Sequence, residues 1–188
     1  VISDAAVVEL DPREHFGLIK QLQEMERLVL VGAKDPFIVK NAMRIVSAFE
    51  PRIARKAYLQ EIAALLQYAQ GIHPTLGGLR YQRDPYEVTS IPSYVEEKGG
   101  GDAAELAVWL AAHLLAIGHG PLRFVVISDS SSRRPDDFVH VYLHYGNPES
   151  DRVRWFALDP TQEKPMGWEY PNPGKKAYYE IGAEEDEG

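Results

Sequence analysis

The residues with chemistry to offer are concentrated in two neighbouring segments, FVHVYLHY (138–145) and VRWFALDP (153–160). Both alternate apolar and polar positions in the manner of half-buried strands, and the GNPESD stretch between them reads as a hairpin loop. If the ends pair as Tyr145 with Arg152, His140 lies opposite Ala157 and diagonal to Asp159; a slip of two puts His140 directly opposite Asp159. In either register the two side chains leave the same face. A histidine held by a carboxylate has its tautomer fixed and can act as a general base. Such a base needs a nucleophile, and the position best built for one is the start of GGGDAAELAVWLAAHLLAIG (99–118). There Asp102 is a good N-cap with Glu105 three residues on, a capping box that satisfies the backbone N–H groups of a first turn. The positive end of the peptide dipoles would stabilise a thiolate or an oxyanion at residue 103. The residue is alanine, which can use none of this. Leu106, Trp109, Leu110, His113, Leu114 and Ile117 recur at helical spacing, and Ala103 continues that stripe, which predicts that position 103 faces the core.

The other histidines carry blander expectations. His144 shares the face of His140 and is a decoy, His113 belongs to an apolar helical stripe and reads as a hydrogen-bonded core residue, and His15, His73 and His119 are expected to face solvent. His140, His144 and Asp159 could in principle meet on a metal, but no second ligand cluster accompanies them, so neither a metal nor a cofactor is expected. Trp155 and Trp168 are candidates to line a cleft, Trp155 equally a candidate for core. The triple glycine lacks the lysine of a phosphate-binding loop.

The elements that must position these residues follow from composition and periodicity. A chain of 188 residues with 45% hydrophobic and 26% charged residues has the makings of a substantial core. The net charge of −8 argues against a nucleic-acid partner, and the absence of cysteine excludes disulfides and thiol chemistry. No signal peptide and no membrane span are expected, and the cytoplasm is the default location. Asp11-Pro12 and Asp35-Pro36 read as helix starts, the first helix running to about Leu30 with Gly32 as its stop; a third helix is expected from Pro51 to Gln70, stopped by Gly71. Residues 71–101 read as a loop-rich stretch shaping a cleft, Leu122–Ile127 as a strand, and Ala177–Ile181 as a last edge strand. The expected division is a helical segment over 1–70 packed on a core over 71–181, with a disordered acidic tail over 182–188.

This order of parts resembles the transglutaminase-like fold, the circularly rearranged relative of papain. The resemblance rests on GGGDAAELAVWLAAHLLAIG, then FVHVYLHYG, then VRWFALDPT followed by PMGW, and covers about residues 25–170. Upstream, GAKDPFIVKNAMRIV and YQRDPYEV are similar to segments of such proteins from bacteriophage and bacterial genomes. The resemblance implies an α+β fold with a helix packed on an antiparallel sheet behind an N-terminal helical lead-in. It further implies thiol acyl transfer, by hydrolysis or transamidation, on a peptide or protein substrate, with His140 as base, Asp159 as its orienter and Ala103 where the family carries its cysteine. Two accounts of that alanine stand side by side. It replaces a cysteine in a stretch that would otherwise read GDCAEL, leaving an inactive version of an active-type domain; or the chain is a pseudoenzyme that keeps the fold as a structural or binding protein, associated with a virion or assembling with itself.

Overall fold

A computed structural model describes residues 6–49, 57–83, 89–134, 137–149 and 152–182. Its elements are β1 (Ala6–Val7), α1 (Phe16–Ala33), α2 (Pro36–Ser47), α3 (Ala57–Ala69), β2 (Arg80–Tyr81), α4 (Pro92–Lys98), β3 (Gly100–Gly101), α5 (Ala103–Ala116), β4 (Leu122–Asp129), β5 (Phe138–Glu149), β6 (Arg152–Leu158) and β7 (Pro173–Ile181). The fold is α+β. Five strands form one sheet in the order β1-β7-β4-β5-β6, antiparallel except for the short β1–β7 pair. α5 packs on this sheet, and α1, α2, α3 and α4 surround the rest of α5.

That enclosure explains why α5 departs from the expected single stripe. Every residue from Ala104 to Leu114 is buried, so the helix is the centre of the core and apolar on all sides. Against it lie Phe124, Val126, Leu143, Leu158 and Ala177 from the sheet and Leu22, Met25 and Val29 from α1. His113 is inside this core as expected. Its Nδ1 donates to the Trp109 carbonyl at 2.7 Å, its Nε2 accepts from Asn41 at 3.0 Å, and burial pushes it down to about 3, so it stays neutral.

Several local expectations are corrected. Asp11 does not cap α1: its carboxylate takes the Arg13 N–H and its carbonyl the His15 N–H, closing a separate turn, and α1 begins only at Phe16. Gly32 does not end α1. It is buried within the last turn, where an added Cβ would stand 2.9 Å from Pro92 and 3.3 Å from Ala112, so its role is close helix packing. Asp35, by contrast, caps α2 as expected, accepting from the Phe37 N–H at 2.9 Å. Gly71, at φ +77°, ends α3 as expected; the expected start of that helix at Pro51 lies outside the described residues. The stretch over 71–101 holds α4, entered through Pro92 and stopped by Gly99 at φ +81°.

β5 does not stop at Tyr145. It continues through Gly146, Asn147, Pro148 and Glu149, which pair with Trp155 to Arg152; residues 150–151 lie outside the described residues. Tyr145 accordingly pairs with Phe156 rather than Arg152. Because that displacement is even, the face on which each side chain projects is unchanged. β7 is not an edge strand either: it lies between β1 and β4, reached by the long excursion that follows β6. The acidic residues 183–188 lie outside the described residues.

Candidate active site

The start of α5 is built as a rigid corner. Asp102 accepts from the Glu105 N–H at 2.9 Å, and Glu105 returns the bond to the Asp102 N–H at 3.1 Å. The Glu105 carboxylate is buried, and its other oxygen accepts from Lys98 Nζ at 2.7 Å, an ion pair that ties α4 to α5. With the N–H groups of 102 and 105 taken by the capping box, those of Ala103 and Ala104 are the first-turn donors without an intrahelical acceptor. Glycines allow the approach to this corner: an added Cβ at Gly100 would stand 2.0 Å from the Arg80 carbonyl oxygen of the paired strand β2.

Ala103 is half-buried and does not point into the core as its place in the apolar stripe predicted. It lines a cavity of about 270 Å³ together with His140. The cavity is walled by Leu18 and Gln21 of α1, Tyr81 of β2 and Arg83 beyond it, and Phe138 to Val141 of β5. The core-facing expectation failed because the helix is enclosed on all sides, so a repeat of apolar residues does not single out one direction. A groove of about 840 Å³ adjoins the cavity, sharing Leu18, Gln21 and Phe138 with it and lined also by Glu14, Lys20, Glu24 and Asp137.

His140 and Asp159 are in contact, with Nε2 3.0 Å from Oδ2. Asp159 follows the last residue of β6 and is 4% exposed. Its Oδ1 accepts from both the Thr161 N–H at 2.8 Å and the Thr161 hydroxyl at 2.7 Å. With Oδ1 occupied by two donors, Oδ2 is the atom for His140. An ionised carboxylate can only accept, so His140 Nε2 carries the proton and Nδ1 is the nitrogen left with a lone pair. The imidazole is flanked by Tyr142, stacked at 5.9 Å, and Tyr170, edge-on at 4.9 Å.

The remaining candidates are placed elsewhere. His144 lies on the same face of β5 but bonds Glu169 and Arg123, so His140, His144 and Asp159 do not converge on a common point. Among the described residues no group of three or more histidine or acidic side chains could hold a metal. His73 and His119 are buried rather than solvent-facing: His73 Nε2 donates to the Ile45 carbonyl at 3.0 Å while its Nδ1 takes two loop N–H groups, and His119 is 2.6 Å from Glu61. Trp155 and Trp168 do not line the cavity; Trp155 lies under Arg123 and Trp168 against Tyr170. Tyr81 and Arg83 lie in the 71–101 stretch read from the sequence as shaping a cleft, although neither was singled out there. Leu18 and Gln21 were missed, because they reach the cavity only through the docking of α1.

No protein-family model matches the chain, and no curated protein matches it. Among solved structures it is similar to LapG of Legionella pneumophila. For the EGTA-treated form the identity is 16%, with 77% of this chain and 73% of that chain covered and a TM-score of 0.47. For the calcium-bound form the figures are 16%, 68%, 75% and 0.41, and for a third LapG structure 16%, 77%, 73% and 0.44. Among the described residues no helix is long and apolar enough to cross a membrane.

Proposed function

We propose that the chain is a transglutaminase-like thiol acyl-transfer domain acting on peptide or protein amides, with Ala103 at the nucleophile's position and the chain inactive as it stands. One observation carries this reading: Ala103, at the open end of a capped helix, lines one cavity with a histidine whose far nitrogen is held by a buried carboxylate. The order of the parts, helix start, histidine strand and aspartate, supports the same reading. The lone pair on His140 Nδ1 would take the proton of a thiol at 103. The sulfur would attack the acyl carbon, and the N–H groups of residues 103 and 104 would hold the resulting oxyanion. Collapse of the tetrahedral adduct expels the amine, which receives the proton from His140, and leaves a thioester. Water or a second amine then releases the acyl group, with His140 again taking and returning the proton.

The alanine itself favours a second reading, in which the cleft binds a peptide without chemistry. Ala103→Cys separates the two, and because the chain has no cysteine, the introduced thiol is the only one to observe. With p-nitrophenyl acetate, the variant is expected to form an acetyl thioester that turns over, and His140→Ala to slow its formation about a hundredfold. Acetylation no faster than that of a small free thiol would favour the binding reading.

A further inference from the structure

The segment between β6 and β7 carries a partly buried polar cluster that the reaction outlined above does not use. The Glu169 carboxylate accepts from His144 Nε2 at 2.7 Å through one oxygen, and from the Tyr142 hydroxyl at 2.5 Å and Lys176 Nζ at 3.3 Å through the other. His144 in turn accepts, at Nδ1, from Arg123 Nε at 3.1 Å. The Arg123 guanidinium is layered between Trp155 at 4.1 Å and Tyr178 at 3.6 Å. These bonds fix His144 as the neutral tautomer with its proton on Nε2, in keeping with burial, which pushes its pKa down. Burial also pushes the Glu169 carboxyl up, yet the hydrogen bonds from His144 and Tyr142 outweigh it and hold the group at about 2.

Residue 170 follows directly. Tyr170 stands edge-on to His140 at 4.9 Å and also packs against Tyr142 at 5.9 Å, and Trp168 lies 4.9 Å from it. Its hydroxyl accepts from Gln162 at 3.2 Å and lies beside Asp159. The beginning of the segment is tied down separately: the Gln70 amide nitrogen, after α3, sits among the carbonyls of Asp159 at 3.1 Å, Gln162 at 2.6 Å and Lys164 at 2.8 Å, sharing its two protons among them.

We propose that Glu169 and Tyr170 form a positioning clamp for the His140–Asp159 pair: Glu169 anchors the segment to the outer face of the sheet, and the Tyr170 ring covers the imidazole and fixes its plane. A partly buried ionic network of this kind is weak as a source of stability and well suited to fixing one geometry. The ring is the working part, so phenylalanine should serve in place of tyrosine at 170. The clamp is defined on the protein with Ala103 in place. Its consequence for rate rests on the acyl-transfer reading.

The test follows the ring protons of histidine by NMR in the unaltered chain. The His140 Nε2–H resonance, identified by its loss in Asp159→Ala, should exchange slowly with water in the unaltered protein and in Tyr170→Phe. Tyr170→Ala should speed its exchange about tenfold or more, and Glu169→Ala should do the same by freeing the segment. The His113 Nδ1–H, deep in the core, reports whether each variant is folded. Should Glu169→Ala lose that signal, Tyr170→Ala, which removes only a half-buried ring, decides the matter. In the Ala103→Cys background, Tyr170→Ala should also lower the neutral-pH alkylation rate of the thiol, with Tyr170→Phe retaining it. An unchanged His140 exchange rate in Tyr170→Ala overturns the clamp even if the introduced thiol is activated. Faster exchange with a thiol that is not activated upholds the clamp and overturns the acyl-transfer reading.

Discussion

In the Ala103→Cys protein, Asp159→Asn is expected to lower the rate of acyl transfer by about 10³–10⁴ with little loss of fold. The orientation of the new amide is dictated by its neighbours. Two donors, the Thr161 N–H and hydroxyl, converge on Oδ1, so that atom must remain an oxygen. The amide nitrogen then takes the place of Oδ2, 3.0 Å from His140 Nε2, and presents a proton where the native residue accepts one. His140 must answer with a lone pair at Nε2, which moves its own proton to Nδ1 and leaves nothing to accept the thiol proton. The measurement is the acylation rate with p-nitrophenyl acetate beside a thermal melt. A drop of less than about threefold would remove Asp159 from the role of tautomer setter.

Lys98→Met is expected to destabilise the protein by about 3 kcal/mol, because it strands the Glu105 carboxylate, whose side chain is 1% exposed, without its cation. For a chain of this size that is a fall in Tm of about 6–12 °C. Glu105 keeps the Asp102 N–H, a single backbone donor that does not offset a buried charge. Adding Glu105→Leu removes the stranded charge and should recover a large part of the loss, the remainder reflecting the broken capping box. An unchanged Tm in Lys98→Met would mean that the pair is solvated and that the corner carrying residue 103 is held by the cap alone.

The contact between His140 and Asp159 was legible before the fold because side-chain direction on a strand depends only on odd and even positions. The pairing Tyr145 with Phe156 departs from the one drawn from the sequence by an even number of residues, so the two groups still share a face. The register itself was not legible. GNPESD carries turn-forming residues, yet Gly146 to Glu149 are held in the strand by their pairing with Arg152 to Trp155. The capping box at Asp102 and Glu105 is a local device and was read directly. The direction of Ala103 was not, since on a helix apolar all round no stripe selects a side. α4 left its marks in Pro92 and Gly99. Gln21 left none, and neither did the anchoring of Glu169 by Tyr142, His144 and Lys176, which depends on how distant strands are brought together.

The most direct measurement is the alkylation rate of the Ala103→Cys thiol by iodoacetamide as a function of pH, alone and with His140→Ala. An ordinary thiol follows a pKa of about 8.5. The helix start and His140 together predict a thiol that reacts well below that pH and loses this low-pH reactivity when His140 is removed. A thiol that titrates at the ordinary value, or one indifferent to the loss of His140, would contradict the assignment of residue 103 and His140 to a common acyl-transfer site.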